Sequence, residues 1–283
     1  MFYSDLGSVC AYGALALAIV SFWVKRTPSV WLTLLSFASL FGWFAGRVNS
    51  MGLLMEGLLG FTCFLFFRQR LPMWARILFG FLISLTSAAF MMHKIPGFNN
   101  WRVLKDISVS SGALPIQLYL NFDKPLVGLF LMGWASGAAP SRAEWIRIFK
   151  TILPCLGFTA TVLLGFSWFL GYVRLDFKWY SFSPLWLGVN LLFACVAEEA
   201  FFRGFVQKQL SRIFKKPVSL FLSSCLFGLV HLQGGWTYVF LAAIAGLFYG
   251  YAYLKTNRLE ASIGVHFFLN AIHFLAFTYP ALR

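Results

Sequence analysis

Charge is scarce in this sequence: 11% of its 283 residues are charged, only nine are acidic and four are histidine. Such a composition cannot furnish the polar surface a soluble domain of this size needs. Sixty percent of the residues are hydrophobic and mean hydropathy is +0.76, which places the chain in a bilayer. No internal repeat and no Pro- or Gly-rich linker marks off a soluble domain. The five cysteines (Cys10, Cys63, Cys155, Cys195, Cys225) all lie in apolar runs and none forms C-x-x-C, so they read as small hydrophobes and imply no disulfide or metal framework. There is no H-E-x-x-H helix and no G-x-S-x-G elbow. Asp5, Asp106, Asp123 and Asp176 all fall outside the expected spans, which removes a two-aspartate intramembrane protease.

What remains is a succession of apolar runs of roughly 15 to 23 residues, and about 20 residues of helix cross the hydrocarbon core. Runs such as Thr151 to Val173 are apolar on every face, which fits a membrane helix and not the alternation of a barrel strand. The expected fold is therefore all-α, a polytopic integral membrane bundle of about ten transmembrane helices. The first run, Leu6 to Val24, is long for a signal-peptide core, lacks a basic n-region and is followed at once by another span, so it reads as a retained helix. The run from Pro125 to Ala139 is short and rich in Gly and Ala, which suits a re-entrant segment as well as a crossing.

The net charge of +14 is spread over many short breaks between spans, so it speaks for membrane orientation and not for nucleic acid. Alternating the spans puts fourteen lysines and arginines on one side, Lys25 and Arg26 among them. Eight fall on the other side, among them Lys124 and Arg283. The richer side is expected to be cytoplasmic. The outer loop near 93–124 contains Pro96-Gly97, Asn99-Asn100 and a strand-like stretch Ile116 to Phe122, which suggest a small hairpin. On the inner side Ser141 and Glu144 form a capping-box pattern opening a short amphipathic helix ahead of the span at Thr151.

Three acidic residues lie inside expected spans: Glu56, Glu198 and Glu199. A carboxylate at membrane depth costs at least a few kcal/mol unless paired, hydrated or protonated, so each needs a reason. Glu56 has no evident partner and reads as structural. Glu199 and Arg203 are four apart, stacked on one face of an α-helix, while Glu198 is turned about 100° away and free to hold a water or meet another helix. His231 ends the next span. His266, Asn270 and His273 form a stripe along the last one at spacings of four and three. A lone buried His is more often a satisfied core residue than a catalyst, but polar groups on several consecutive membrane helices point to function.

A buried Glu beside a His is equipped to bind and deprotonate water, and an imidazole N–H with a carboxamide N–H is equipped to hold an oxyanion. Together these suffice for peptide hydrolysis without a covalent intermediate. The expected site uses no cofactor. A zinc ion on Glu198, His231 and His266 is the alternative, since two His and one Glu leave a position for water. At these residues the chain resembles the type II CAAX prenyl proteases and the wider CAAX protease and bacteriocin-processing (CPBP, Abi) group of glutamate intramembrane proteases. The family motifs E-E-x-x-x-R, F-x-x-x-H and H-x-x-x-N read here Glu198-Glu199 to Arg203, Phe227 to His231 and His266 to Asn270, in order.

The resemblance implies that Glu198 and His231 activate water and that His266 and Asn270 form the oxyanion site. It further implies that Glu199 and Arg203 organise the centre and that Phe227 packs against it. It divides the chain into an N-terminal membrane region of unknown role, residues 1–150, and a peptidase core, residues 151–283. The expected activity is endopeptidase cleavage of a membrane-anchored, CAAX-like protein or peptide at a site open to the cytoplasm, in a bacterial inner membrane. The rival readings are a non-catalytic scaffold or bacteriocin self-immunity protein, and a proton-coupled transporter.

Overall fold

The computed structural model describes residues 2–24, 27–135 and 140–282, with the side chains of 2–5 left aside. Lys25, Arg26 and Arg283 of the charge count, and the end of the expected span at Ala139, lie outside the described residues. Among the described residues the chain is an all-α polytopic membrane protein of ten helices with one two-stranded sheet. The helices are α1 (Phe2–Val24), α2 (Pro28–Phe44), α3 (Ser50–Arg68), α4 (Met73–Met91), α5 (Asp123–Trp134), α6 (Arg142–Phe169), α7 (Ser183–Leu210), α8 (Lys216–Leu229), α9 (Trp236–Thr256) and α10 (Leu259–Ala276). The strands β1 (Trp101–Ile107) and β2 (Ile116–Leu120) pair in the loop where a hairpin was expected.

Among the described residues seven helices, α1, α3, α4, α6, α7, α9 and α10, are long and apolar enough to cross a membrane. Helices α2 and α8 are shorter, at 17 and 14 residues. Helix α5 has 12 residues, or about 18 Å of length against about 30 Å of hydrocarbon. The amphipathic segment at Ser141 is not a separate helix: Arg142–Phe169 winds as one piece through Pro154. The Ser141 hydroxyl accepts from the Glu144 N–H and the Glu144 carboxylate accepts from the Ser141 N–H, so the capping box starts α6 as its sequence indicates.

The chain groups into two compact units. One comprises residues 1–102, 119–140 and 192–201. In it α1 buries Ala11, Leu15, Ala18, Ile19 and Phe22, a helical stripe. Trp31 of α2 fills the centre, its ring edge-on to Trp134 at 5.0 Å and to Phe130 at 6.1 Å. Helix α5 is buried on all faces, with Leu126, Val127, Leu129, Phe130, Leu131 and Met132 each at most 3% exposed. A short helix of this kind, apolar from Pro125 onward, looks like a membrane span in sequence, because burial in protein and burial in lipid select the same residues. Helices α3 and α4 also belong to this unit.

The second unit comprises residues 103–118, 141–191 and 202–283. Along α6, Ile148, Ile152, Cys155, Thr159 and Leu163 are buried at helical spacing. The hairpin turns Ile116 and Leu118 inward, and they join Val109, Trp186 and Phe274 in one cluster. Trp186 and Phe274 stack face to face at 4.0 Å. All five cysteines are free, with Cys63, Cys155 and Cys195 buried and Cys10 and Cys225 half-buried.

Candidate active site

Helix α7 supplies Leu192–Phe201 to the first unit and its two ends to the second. It departs from α geometry: Asn190–Cys195 and Ala200–Gln207 wind as π-helix, bracketing the short α turn that holds Glu198 and Glu199. Such wider turns are rare and occur preferentially at functional sites. Glu199 closes the α turn and Arg203 lies within the second π-segment. A π-turn is not legible in sequence, since it arises where tertiary contacts compensate the poorer backbone bonding. Here the Ser223 hydroxyl of α8 donates to the carbonyl of Phe202 at 2.9 Å.

In the second unit Arg203 is fully buried and its Nη2 donates to the carbonyl of Gly246 at 2.8 Å. The guanidinium lies over the Phe227 ring at 4.6 Å and the Tyr249 ring at 5.5 Å, a cation–π arrangement. One turn on, the Gln207 amide donates to the carbonyl of Gly250 at 3.2 Å. A Cβ on Gly246 would stand 3.2 Å from Arg203 Nη2 and from Ser224 Cα, so the glycine keeps α9 close enough for Arg203 to reach its backbone.

Phe227 brings two expected site residues together. Its ring packs against His231 at 4.9 Å and edge-on against His266 at 5.8 Å. Helix α8 ends at Leu229, so His231 stands in the turn beyond it. Gly235 then takes φ +85°, a conformation open to glycine without steric cost. His231 Nδ1 lies 2.7 Å from the carbonyl oxygen of Phe227. A carbonyl only accepts, so Nδ1 carries the proton and Nε2 of the neutral ring holds the lone pair.

His266 is 5% exposed and stacks on Tyr249, with ring centroids 4.5 Å apart and planes 15° from parallel. Asn270, one turn along, donates from Nδ2 to Asn190 Oδ1 at 3.4 Å. His273, the third member of the stripe, donates from Nε2 to the carbonyl of Thr278 at 3.2 Å and packs on Tyr279, a structural position. Tyr249 went unnoticed in the sequence. A tyrosine in an apolar helix reads as ordinary lining, and only the fold shows it between Arg203 and His266.

In the first unit Glu199 is fully buried and Glu198 slightly less so. Lys124 Nζ donates to Glu198 Oε1 at 2.6 Å. Lys124 was counted with the loop charges that set orientation; it stands instead in the first turn of α5, largely withdrawn from solvent and engaged by a carboxylate of α7. Glu56 also finds a partner, the Ser39 hydroxyl of α2 donating to its Oε1 at 2.8 Å, which supports its structural reading. Asp123, expected in a loop, is 1% exposed and accepts from His93 Nδ1 at 2.8 Å and Asn100 Nδ2 at 3.1 Å. Among the described residues no three His, Cys, Asp or Glu side chains gather as a metal-ligating group.

Residues 179–272 match the family model described as "Type II CAAX prenyl endopeptidase Rce1-like". The match spans about a third of the chain and contains all three motifs. No curated protein and no solved structure matches.

Proposed function

We propose, from the membership of residues 179–272 in the CAAX protease family, that this protein is an intramembrane endopeptidase that cleaves a membrane-anchored, CAAX-like protein or peptide with Glu/His-activated water. The family itself supports a CAAX-type intramembrane endopeptidase acting on a peptide or protein. The assignment of roles to residues is our reading.

Glu198, as carboxylate, takes a proton from a water whose other hydrogen-bond partner is the His231 Nε2 lone pair. The hydroxide formed attacks the scissile carbonyl carbon. An N–H of His266 and the Asn270 carboxamide hold the resulting oxyanion, where fixed donors in a dry site act most strongly. Glu198 then returns the proton to the amine nitrogen as the C–N bond breaks, leaving a carboxylic acid and an amine. Glu199 and Arg203 organise the centre. The observation that carries this reading is the His231 tautomer: the Phe227 carbonyl holds Nδ1–H, which directs the basic nitrogen away from helix α8.

We place the site towards the cytoplasm of a bacterial inner membrane, with residues 151–283 as the peptidase core. The charge distribution and the position of the family match support this placement. Zinc on Glu198, His231 and His266 would supply a Lewis acid and a metal-activated water in the same place.

The test is cleavage of a library of membrane-anchored peptides by purified protein in lipid, comparing wild type with Glu198→Gln and His231→Ala, each with and without chelator. Loss in both variants with chelator-insensitive wild type is the expected result. Chelator sensitivity reversed by zinc would replace the metal-free mechanism. Absence of cleavage across the library would favour a scaffold or immunity protein, and proton-coupled uptake lost in Glu198→Gln would favour a transporter.

A further inference from the structure

Where α7 passes into α8 the chain carries four cations in nine residues, Lys208, Arg212, Lys215 and Lys216, and no acidic residue occurs from Ala200 to Leu259. All four are exposed. Backbone hydrogen bonds hold the segment as a fixed bracket. The Ile213 and Phe214 N–H groups donate to the Leu210 carbonyl at 3.0 and 2.8 Å, and the Val218 and Ser219 N–H groups to the Lys215 carbonyl at 3.0 and 3.1 Å. The Ser211 and Ser219 hydroxyls, 2.7 Å apart, tie its two sides together. At its tip two apolar side chains face outward, Ile213 at 77% and Phe214 at 44% exposed. The span Ser183–Leu210 ends just before them, so the bracket stands at a membrane surface.

Among the described residues no carboxylate forms an ion pair with any of the four cations. The acids of this unit are engaged elsewhere: Glu144 by Arg258, Asp176 by Lys178 and Asp106 by the Gln117 amide, while Glu260 is buried in the first turn of α10. Lys208 and Arg212 are four apart where α7 ends, a like-charge spacing that is unfavourable by itself. An exposed apolar pair set between cations is also costly in water. Both features are satisfied at the boundary of headgroup and acyl chain, where basic side chains meet phosphates and apolar ones enter the hydrocarbon. Membrane orientation asks only for positive charge in a loop, not for Ile213 and Phe214 at its tip. We propose that Lys208, Arg212, Lys215 and Lys216 form a binding surface for the headgroup of an anionic phospholipid, with Ile213 and Phe214 set against its acyl chains.

The test is native mass spectrometry of the full-length protein in detergent, titrated with phosphatidylglycerol or with phosphatidylcholine. Wild type is expected to hold phosphatidylglycerol at least about tenfold more tightly. Lys208→Gln with Arg212→Gln, and Lys215→Gln with Lys216→Gln, should each weaken that lipid by roughly fivefold per charge removed and leave phosphatidylcholine unchanged. Arg68→Gln with Arg70→Gln removes the same charge from an exposed stretch at the end of α3 and should leave the preference intact. Ile213→Ser with Phe214→Ser, which spares every cation, should weaken phosphatidylglycerol on the order of tenfold. Inorganic phosphate should not displace the lipid, because it offers no acyl chain. Thermal unfolding identifies which variants are folded, and the lipid preference of wild type, with its weakening at raised salt, stands as a test that needs no variant. A wild type that binds both lipids alike would overturn the proposal, as would an equal loss in the Arg68 and Arg70 control, displacement by inorganic phosphate, or unchanged affinity in the folded variants of the bracket.

Discussion

His266 lies stacked on Tyr249, ring centroid to ring centroid 4.5 Å, and the same tyrosine ring faces the Arg203 guanidinium at 5.5 Å. Tyr249 thereby couples the orientation of the proposed oxyanion donor to a buried cation. Tyr249→Ala is expected to lower kcat by roughly 2- to 10-fold, the equivalent of an aromatic pair of about 0.5–1.5 kcal/mol. Tyr249→Phe keeps the stack and should lose less. Single-turnover cleavage, normalised to folded protein, checks both.

Arg203 reaches the Gly246 carbonyl while its guanidinium plane covers Phe227. Lysine offers neither the planar fork nor the stacking. Arg203→Lys should therefore lower stability by about 1.5–3 kcal/mol, the range for a hydrogen bond from a charged group. Thermal unfolding in detergent is the check, and an unchanged Tm would show that the planar contacts contribute nothing.

Gly128 has no room for a side chain against Ala197. Gly128→Ala should push α5 from α7 and cost about 1–3 kcal/mol as overpacking, despite the better helix propensity of alanine. Separation of the helices would also lengthen the Lys124–Glu198 pair. The expected outcome is a lower Tm, measured by thermal unfolding in detergent.

Asp176 lies between α6 and α7, outside the membrane-spanning segments. Burial raises its carboxyl pKa, but hydrogen bonds from Ser110 and Lys178 and the Lys178 charge outweigh that and hold it below its ordinary value of 3.8. A depressed carboxyl stabilises the fold above its unfolded-state value, and that contribution disappears as pH falls through the folded value. Asp176→Asn should thus lower stability near neutral pH and lose its effect in acid, below about pH 3.8. The carboxylate is partly exposed, so solvent screening limits the difference to about 1 kcal/mol or less. Chemical unfolding of wild type and variant across this range measures it.

Much of the membrane architecture and the candidate residues can be read locally. Hydrophobic length marks the seven long spans, the capping box at Ser141 marks the start of α6, and the three ordered motifs name Glu198, Glu199, Arg203, His231, His266 and Asn270. Each of these signals lies within one stretch of chain, where spacing and apolarity suffice. The relations that tune the chemistry do not. Lys124 and Glu198 are 74 positions apart, and a lysine at the edge of an apolar run has the appearance of an interfacial anchor. Helix α5 has the composition of a span but only 12 residues, because protein and lipid surroundings select the same side chains. The π-winding around Glu198 and the tyrosine beneath His266 likewise depend on packing between helices distant in sequence. Apolarity and motif order were decided by the chain itself; partner, winding and charge compensation were decided by which helices the tertiary structure brought side by side.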